Sequence, residues 1–298
     1  MTRLSIRHET TYHYGQAVGF GPQRLMVRPR DSHADRLVEA SLELFPAGET
    51  RWVYDAMGNC VCWYQPMGQA TELSIVSNLV IDRFPAPLAP LEVTNPHTAM
   101  PIVYSLADRT VLNPFIVPAT DAGPELMQWL RSHAGQSDEP ALNFLTRLTQ
   151  SIQREFNYSE RNAIGTNTPE QTIMQGFGTC RDFAWLMVEA LRRQGYAARF
   201  VTGYLYSPSA DMPGAEGRTG AGATHAWCDV FLPGLGWMEF DPTNGLAESP
   251  DLIRVGSTRT PEEAAPISGA IIGDPQGCEM SVKVEVHMMD GPPQWAAA

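Results

Sequence analysis

The sequence predicts an α+β chain in two parts: an antiparallel β module at the front, then a core in which one helix packs on an antiparallel sheet. Three observations carry this. Residues 4–14, 37–45 and 71–81 are alternating apolar runs separated by Gly and Pro, the pattern of half-buried strands. Further along, Cys180, Phe183, Ala184, Met187, Val188 and Leu191 recur at helical spacing. An aromatic and β-branched run at 224–231, a Gly/Pro turn region and a second extended run at 237–241 then read as a hairpin.

Four stretches follow: a β-rich domain at 1–95, a Pro-rich linker at 96–123, the core at 124–250, and a C-terminal extension with one strand at 251–298. Pro85, Pro87, Pro90, Pro96 and Pro101 mark a stiff connection. Helices are expected over 126–133 and 141–156, the second with Leu142, Leu145, Leu148, Ile152 and Phe156 on one stripe. Thr168-Pro169-Glu170-Gln171 has the form of a capped helix start, with Pro at the first helical position and Gln in the capping-box place. Arg192, Arg193 and Gly195 end the helix that opens at Cys180. A strand is expected near 199–206, and the clean alternation at 281–287 gives another.

The chemistry centres on Cys180. Gly176 and Gly178 let the chain turn tightly before it, which sets the thiol in a first helical turn, where unpaired N–H groups and the helix dipole favour a thiolate. A hairpin centred on Pro233 sets His225 directly across from Asp241, with Cβ atoms roughly 5 Å apart. A carboxylate there holds one imidazole nitrogen and leaves the other for the thiol proton. Trp227 and Glu239 form the next pair on that face, while Ala226, Cys228, Val230, Met238 and Phe240 point the other way. Asp182 reads as a carboxylate that stabilises the helix start, and Arg181 as a salt-bridge partner. The Gly-rich stretch 207–223 leads into His225 and has the character of a lid or substrate-binding loop.

Each of these has a bland counterpart. Cys180 alone is as compatible with an inert buried cysteine, and a hairpin His–Asp pair with a structural one. Cys60 and Cys62 share a strand face but have no further ligand nearby, so packing outweighs metal binding. Cys228, opposite His225, is packing. Gly176-Phe177-Gly178 lacks the rest of a phosphate loop, and His8, His13, His33, His97, His133 and His287 show no zinc spacing.

With these residues in place the chain resembles the bacterial members of the transglutaminase-like superfamily. The resemblance rests on Gly-x-Gly-x-Cys-x-Asp-x-Ala at 176–184, the run 195–204, His225-Ala226-Trp227, and Gly236-Trp237-Met238-Glu239-Phe240-Asp241-Pro242-Thr243. Phe156-Asn157-Tyr158 is similar to the lead-in to that core. The runs 4–14 and 24–29, with Asp55-Ala56-Met57-Gly58-Asn59, resemble its N-terminal β domain. The resemblance implies a papain-like, transglutaminase-like core in which Cys180 is nucleophile, His225 base and Asp241 orienter. Residues 255–260 depart from it, since relatives often carry Gly-Arg-Asp-Tyr there.

Composition sets outer limits. The chain of 298 residues has 21 Lys plus Arg against 33 Asp plus Glu, a formal net charge of −12, which disfavours nucleic acid and anionic membrane surfaces as partners. The start lacks the apolar stretch of a secretory signal, and the five cysteines form no disulfide framework, so a cytoplasmic enzyme is expected. No cofactor or metal is called for. The expected activity is amide hydrolysis on a protein or peptide through an acyl-enzyme. Acyl transfer to an amine, or a silent interaction module on the same fold, are the alternatives. The oxyanion would meet the Cys180 N–H and a second donor, for which Asn157 and Tyr158 are candidates. Trp227 and Trp237 are candidate walls for an amine channel, Trp227 equally a shield for the triad.

Overall fold

A computed structural model describes residues 1–84, 101–137, 139–161, 165–212, 214 and 216–289. The front of the chain forms β1 (Thr2–Leu25), β2 (Asp35–Phe45), β3 (Gly48–Tyr54), β4 (Cys60–Pro66) and β5 (Gln69–Arg83). Then come α1 (Leu106–Ile116), α2 (Pro124–Ser132), α3 (Ala141–Glu155), β6 (Asn157–Tyr158), α4 (Pro169–Gln175), β7 (Phe177–Gly178) and α5 (Cys180–Arg193). The remainder is β8 (Ala198–Leu205), β9 (His225–Leu232), β10 (Gly236–Asp241), β11 (Leu246–Ala247), β12 (Leu252–Thr258), β13 (Ile267–Ile272) and β14 (Cys278–Met288).

The first sheet runs β2-β5-β1-β4-β3, and both β13 and β14 pair with β1. Leu4 and Ile6 of β1, Leu79 and Ile81 of β5 and Val284 and Val286 of β14 are buried in the same cluster as Phe183, Leu186 and Met187 of α5. Fully burying one such side chain contributes roughly 1.5–3 kcal/mol, so the front sheet and the core share one continuous apolar interior. The second sheet runs β11-β10-β9-β8-β12, antiparallel throughout. Ala226, Cys228, Val230, Met238 and Phe240 face the α5 cluster, while Trp227 packs on the opposite side with Val201, Leu205 and Leu252. That is the division of faces expected from alternation.

Three sequence expectations need correction. The proline-rich stretch before residue 101 lies outside the described residues, but the rest of the supposed 96–123 linker is not a spacer. It carries α1, whose Leu112 and Phe115 are buried, and Glu189 of α5 accepts hydrogen bonds from the Ala119 and Thr120 N–H groups at 3.0 and 3.1 Å. Residues 182–192 are consequently buried on every side of α5, not on one inward face. On α3, Leu142 is exposed and Phe144 is buried instead, because at about 100° per residue position 142 falls off the stripe set by Leu145, Leu148 and Ile152. Among the described residues no helix is long and apolar enough to cross a membrane.

Polar side chains join the two sheets: Tyr204 Oη of β8 lies 3.1 Å from His8 Nδ1 of β1 and donates to the Val27 carbonyl at 3.0 Å, and Asn59 makes a two-bonded clasp. Asn59, from the Asp-Ala-Met-Gly-Asn turn, donates through Nδ2 to the Ser257 carbonyl at 2.9 Å and accepts from the Ser257 N–H at 2.9 Å. Its amide thus completes the β12 backbone as a neighbouring strand would. The stretch 255–260 is the docking site for the front domain: Met26 Sδ would lie 2.5 Å from a Cβ at Gly256, so a larger residue there would force the Met26 side chain to move. Replacing Asn59 by Ala strands a buried donor and acceptor on Ser257 and is expected to destabilise the fold by about 1–3 kcal/mol. Thermal unfolding of Asn59→Ala against wild type measures it, and an unchanged midpoint would remove the clasp from the account.

Candidate functional site

Cys180 is the first residue of α5, and the chain before it is fixed by its own polar groups. Asp182 Oδ2 accepts from the Thr179 N–H at 2.8 Å and from Thr179 Oγ1 at 2.9 Å, while Oδ1 accepts from the Asn167 N–H at 2.7 Å and Arg161 Nη2 at 2.9 Å. This carboxylate secures the helix start, the role expected for it. Arg181 donates to the Arg161 carbonyl at 3.2 Å. Gly176 ends α4 at φ 71°, and a Cβ at Gly178 would meet Asp182 Cβ at 2.9 Å, so each glycine meets a specific demand. The expected capping box of α4 is present, Thr168 Oγ1 accepting from the Gln171 N–H at 3.2 Å and Gln171 Oε1 from the Thr168 N–H at 2.9 Å.

His225 and Asp241 come together by a different register from the one expected. Gly236 pairs with Leu232 and Phe240 with Cys228, so the hairpin is centred on Gly234, at φ 83°, and not on Pro233. Continuing that register sets Asp241 across from Trp227 and makes His225 its diagonal neighbour. The shift is by two residues, which preserves every side chain's face; a one-residue slip would have reversed them. Diagonal neighbours remain within reach of long side chains, and His225 Nε2 lies 2.9 Å from Asp241 Oδ2 with both side chains fully buried. Glu239 faces Asp229 instead of Trp227, and Arg254 bridges the two carboxylates at 2.9 and 3.0 Å.

Asp241 uses the rest of its acceptor capacity on the turn that follows. Oδ1 accepts from the Thr243 N–H at 2.9 Å and the Asn244 N–H at 3.3 Å, and Oδ2 also accepts from Asn244 Nδ2 at 2.8 Å. Burial raises a carboxyl's pKa, but the imidazolium and these donors outweigh it and hold Asp241 below its usual value. For His225 burial acts against the charged form. The Asp241 carboxylate and the Cys180 sulfur beside the ring overcome it and raise the imidazole from 6.5 to about 10.

The other ring nitrogen, Nδ1, has no partner among the described residues in full hydrogen-bond geometry, although Cys180 is close enough to favour the imidazolium. A Cβ at Gly220 would lie 3.0 Å from Nδ1 and 3.4 Å from Tyr158 Oη, so phenol, imidazole and this backbone converge. Tyr158 is fixed by the parallel pairing of β6 with β7, opposite Gly178, and the Ser159 N–H donates to the Gly178 carbonyl at 2.9 Å. Of the two oxyanion candidates Asn157 is exposed and Tyr158 turns inward. Trp227 is fully buried and stacks on His225 at 6.2 Å, whereas Trp237 packs against Phe115 and Phe231 at the other end of β10, so the two do not line one channel.

From sequence, Asn244 is not singled out, and Gly220 reads only as part of the Gly-rich 207–223 stretch. A polar residue three positions after Asp241, in a Pro-Thr-Asn-Gly turn, was the available signal for the first. Cys60, Cys62 and Cys228 are buried away from this cluster, and burial raises the thiol pKa of each. Among the described residues no group of three or more His, Cys, Asp or Glu side chains is arranged to hold a metal ion.

Comparison with known proteins agrees with this architecture. Residues 128–242 match the family model of the transglutaminase-like superfamily, and residues 4–82 that of the bacterial transglutaminase-like N-terminal region. An uncharacterized protein of Mycobacterium tuberculosis is 28% identical over 306 residues, covering 97% of this chain and 94% of its own. One from Mycobacterium leprae is 24% identical over 290 residues, covering 96% and 99%. The crystal structure of a candidate cysteine protease from Cytophaga hutchinsonii superposes with a TM-score of 0.71 at 19% identity, over 98% of this chain and 92% of that one, which shows a shared fold. The chain belongs to the transglutaminase-like superfamily, its core preceded by the bacterial N-terminal region of that family.

Proposed function

We propose that the protein is a thiol-dependent amide hydrolase acting on a protein or peptide through an acyl-enzyme. The observation that carries this reading is the buried His225–Asp241 pair, 2.9 Å apart, with Cys180 against the same imidazole at the first turn of α5. The Cys180 thiolate attacks the amide carbonyl carbon, forming the C–S bond and pushing an electron pair onto oxygen. As the tetrahedral centre collapses, the C–N bond breaks and the His225 imidazolium gives its proton to the leaving amine. His225 then takes a proton from water, whose oxygen attacks the thioester. The C–S bond breaks, and thiolate and imidazolium are restored.

The oxyanion is met by the Cys180 N–H and the Tyr158 hydroxyl. Burial, then the Cys180 and Glu160 charges, push the phenol's pKa up, so it remains a proton donor at all working pH values. Hydrolysis is favoured over transfer because an acyltransferase must exclude water and seat an amine in an apolar channel. Trp227 is occupied as a lid on His225 and Trp237 lies at the far end of β10. A cytoplasmic setting fits the five free cysteines, which a reducing compartment would keep as thiols.

Brief iodoacetamide labelling near neutral pH should modify half-buried Cys180 faster than exposed Cys278. Cys180→Ala and His225→Ala should each remove nearly all cleavage of a peptide library while leaving circular dichroism unchanged. Retention of near-wild-type turnover by His225→Ala, or incorporation of a labelled amine without cleavage, defeats the hydrolase reading.

The pH dependence has a definite sign. A histidine raised to about 10 keeps its proton, and with it the acid that protonates the leaving amine, until pH rises through that value. The alkaline limb of kcat/KM should therefore lie near 10. Asp241→Asn removes the charge that raises it, and the limb should move down towards the ordinary imidazole range.

Loss of the Tyr158 hydroxyl should fall on the transition state. Tyr158→Phe is expected to lower kcat by about 10²–10³ with little change in KM, the usual cost of one oxyanion donor. Equal kcat in the two proteins would assign the second donor elsewhere.

A further inference from the structure

Asn244 stands outside the Cys180, His225 and Asp241 set, yet its side-chain amide is where two elements meet. On one side Nδ2 donates to Asp241 Oδ2 at 2.8 Å, the same oxygen that lies 2.9 Å from His225 Nε2. On the other, Nδ2 donates to the Thr219 carbonyl at 3.2 Å and Oδ1 accepts from the Thr219 N–H at 2.9 Å. A primary amide has two N–H donors and a carbonyl, so it can serve all three partners at once. No hydroxyl or aliphatic side chain of similar size can.

The residue after Thr219 is Gly220, at φ 86°, whose backbone lies against His225 Nδ1 and Tyr158 Oη. Fixing residue 219 therefore fixes the chain that covers the free edge of the imidazole. The segment has other anchors on either side. Arg218 pairs with Asp251 at 2.7 Å and its N–H donates to Ser207 Oγ at 3.0 Å, while the Gly222 carbonyl accepts from the Val284 N–H of β14 at 2.9 Å. Among the described residues, only the Asn244 contact joins the segment to the Asp241 carboxylate that bonds His225.

We propose that Asn244 is a positioning residue that couples seating of the 218–222 segment over His225 to the orientation of the Asp241 carboxylate. The coupling serves catalysis only if the hydrolase reading above holds. Opening the segment to admit an extended peptide frees the amide to rotate away from Asp241. Closing it over the acyl-enzyme restores the donor and realigns the imidazole. Alignment of acid and nucleophile thereby follows substrate seating, and the thioester is covered while His225 is in place.

Two measurements on the full chain test this without any substrate. Hydrogen exchange of the peptide spanning 217–224 reads the segment, and NMR of protein labelled with ¹⁵N-histidine reads the protonation of His225. In Asn244→Ala, exchange of that peptide should quicken at least about tenfold, while the His225 midpoint falls by about one pH unit. Circular dichroism should be unchanged, and Asn244→Ser, whose hydroxyl is too short to reach both partners, should behave alike if the alanine variant folds poorly. Faster exchange with an unmoved His225 midpoint, a moved midpoint with wild-type exchange, or no change in either would each overturn the coupling. The hydrolase reading is judged apart, by whether wild-type Cys180 labels faster than Cys278.

Discussion

The site depends on one buried contact, the His225–Asp241 hydrogen bond. Removing a carboxylate and an imidazolium from water costs several kcal/mol for each ion, and their mutual attraction offsets that only when the remaining lone pairs are satisfied. Asp241 meets this condition through the Thr243 and Asn244 N–H groups and the Asn244 amide. The turn after β10 is thus part of the site. It supplies the donors that let a carboxylate stay charged at the end of a strand with no access to solvent. His225 in turn keeps its proton because that charge is there, against the opposing effect of its own burial.

Cys180 stays beside such a pair only if its helix does not drift, and α5 is fixed at both ends. Asp182 secures the start through Thr179, Asn167 and Arg161. At the other end Glu189 pairs with Arg192 and Arg193 at 3.2 and 2.7 Å and holds the Ala119 and Thr120 backbone, while Arg192 donates to the Ala198 and Phe115 carbonyls. Between these ends the helix is buried all round. Helix propensity contributes little by comparison, since a helix of this length is marginal in isolation. Packing is what holds Cys180 in its place.

What the sequence disclosed followed from short-range periodicity. The strand runs, the α5 stripe, the α4 capping box and the two faces of the hairpin all depend on residues within a few positions of one another. The hairpin register was misjudged because it depends on which turn residue takes a positive φ, and Gly234, not Pro233, does so. Face assignment survived since the error was even. The linker expectation failed because proline content masked α1, whose apolar residues are buried only against the core. Asn244 escaped notice for a related reason: the partner that gives it meaning, Thr219, is 25 positions away.

The longest-range contacts have the largest consequence for the site. β1 begins at residue 2 and pairs with β14, which ends at residue 288, so the front sheet is complete only when the two ends of the chain meet. Closing so long a loop costs entropy before any contact rewards it. The return is not confined to the front sheet. Val284, paired with His8 of β1 and buried in the same cluster as Leu4 and Ile6, donates through its backbone to Gly222, two residues beyond the glycine that lies on His225. The cover of the imidazole is therefore pinned to the last strand and the last strand to the first. A chain whose core had formed without this closure would hold Cys180, His225 and Asp241 but leave the segment over them without its anchor at Gly222. On this account the front domain acts on the site through the backbone it steadies, although none of its residues contributes to the Cys180, His225 and Asp241 set.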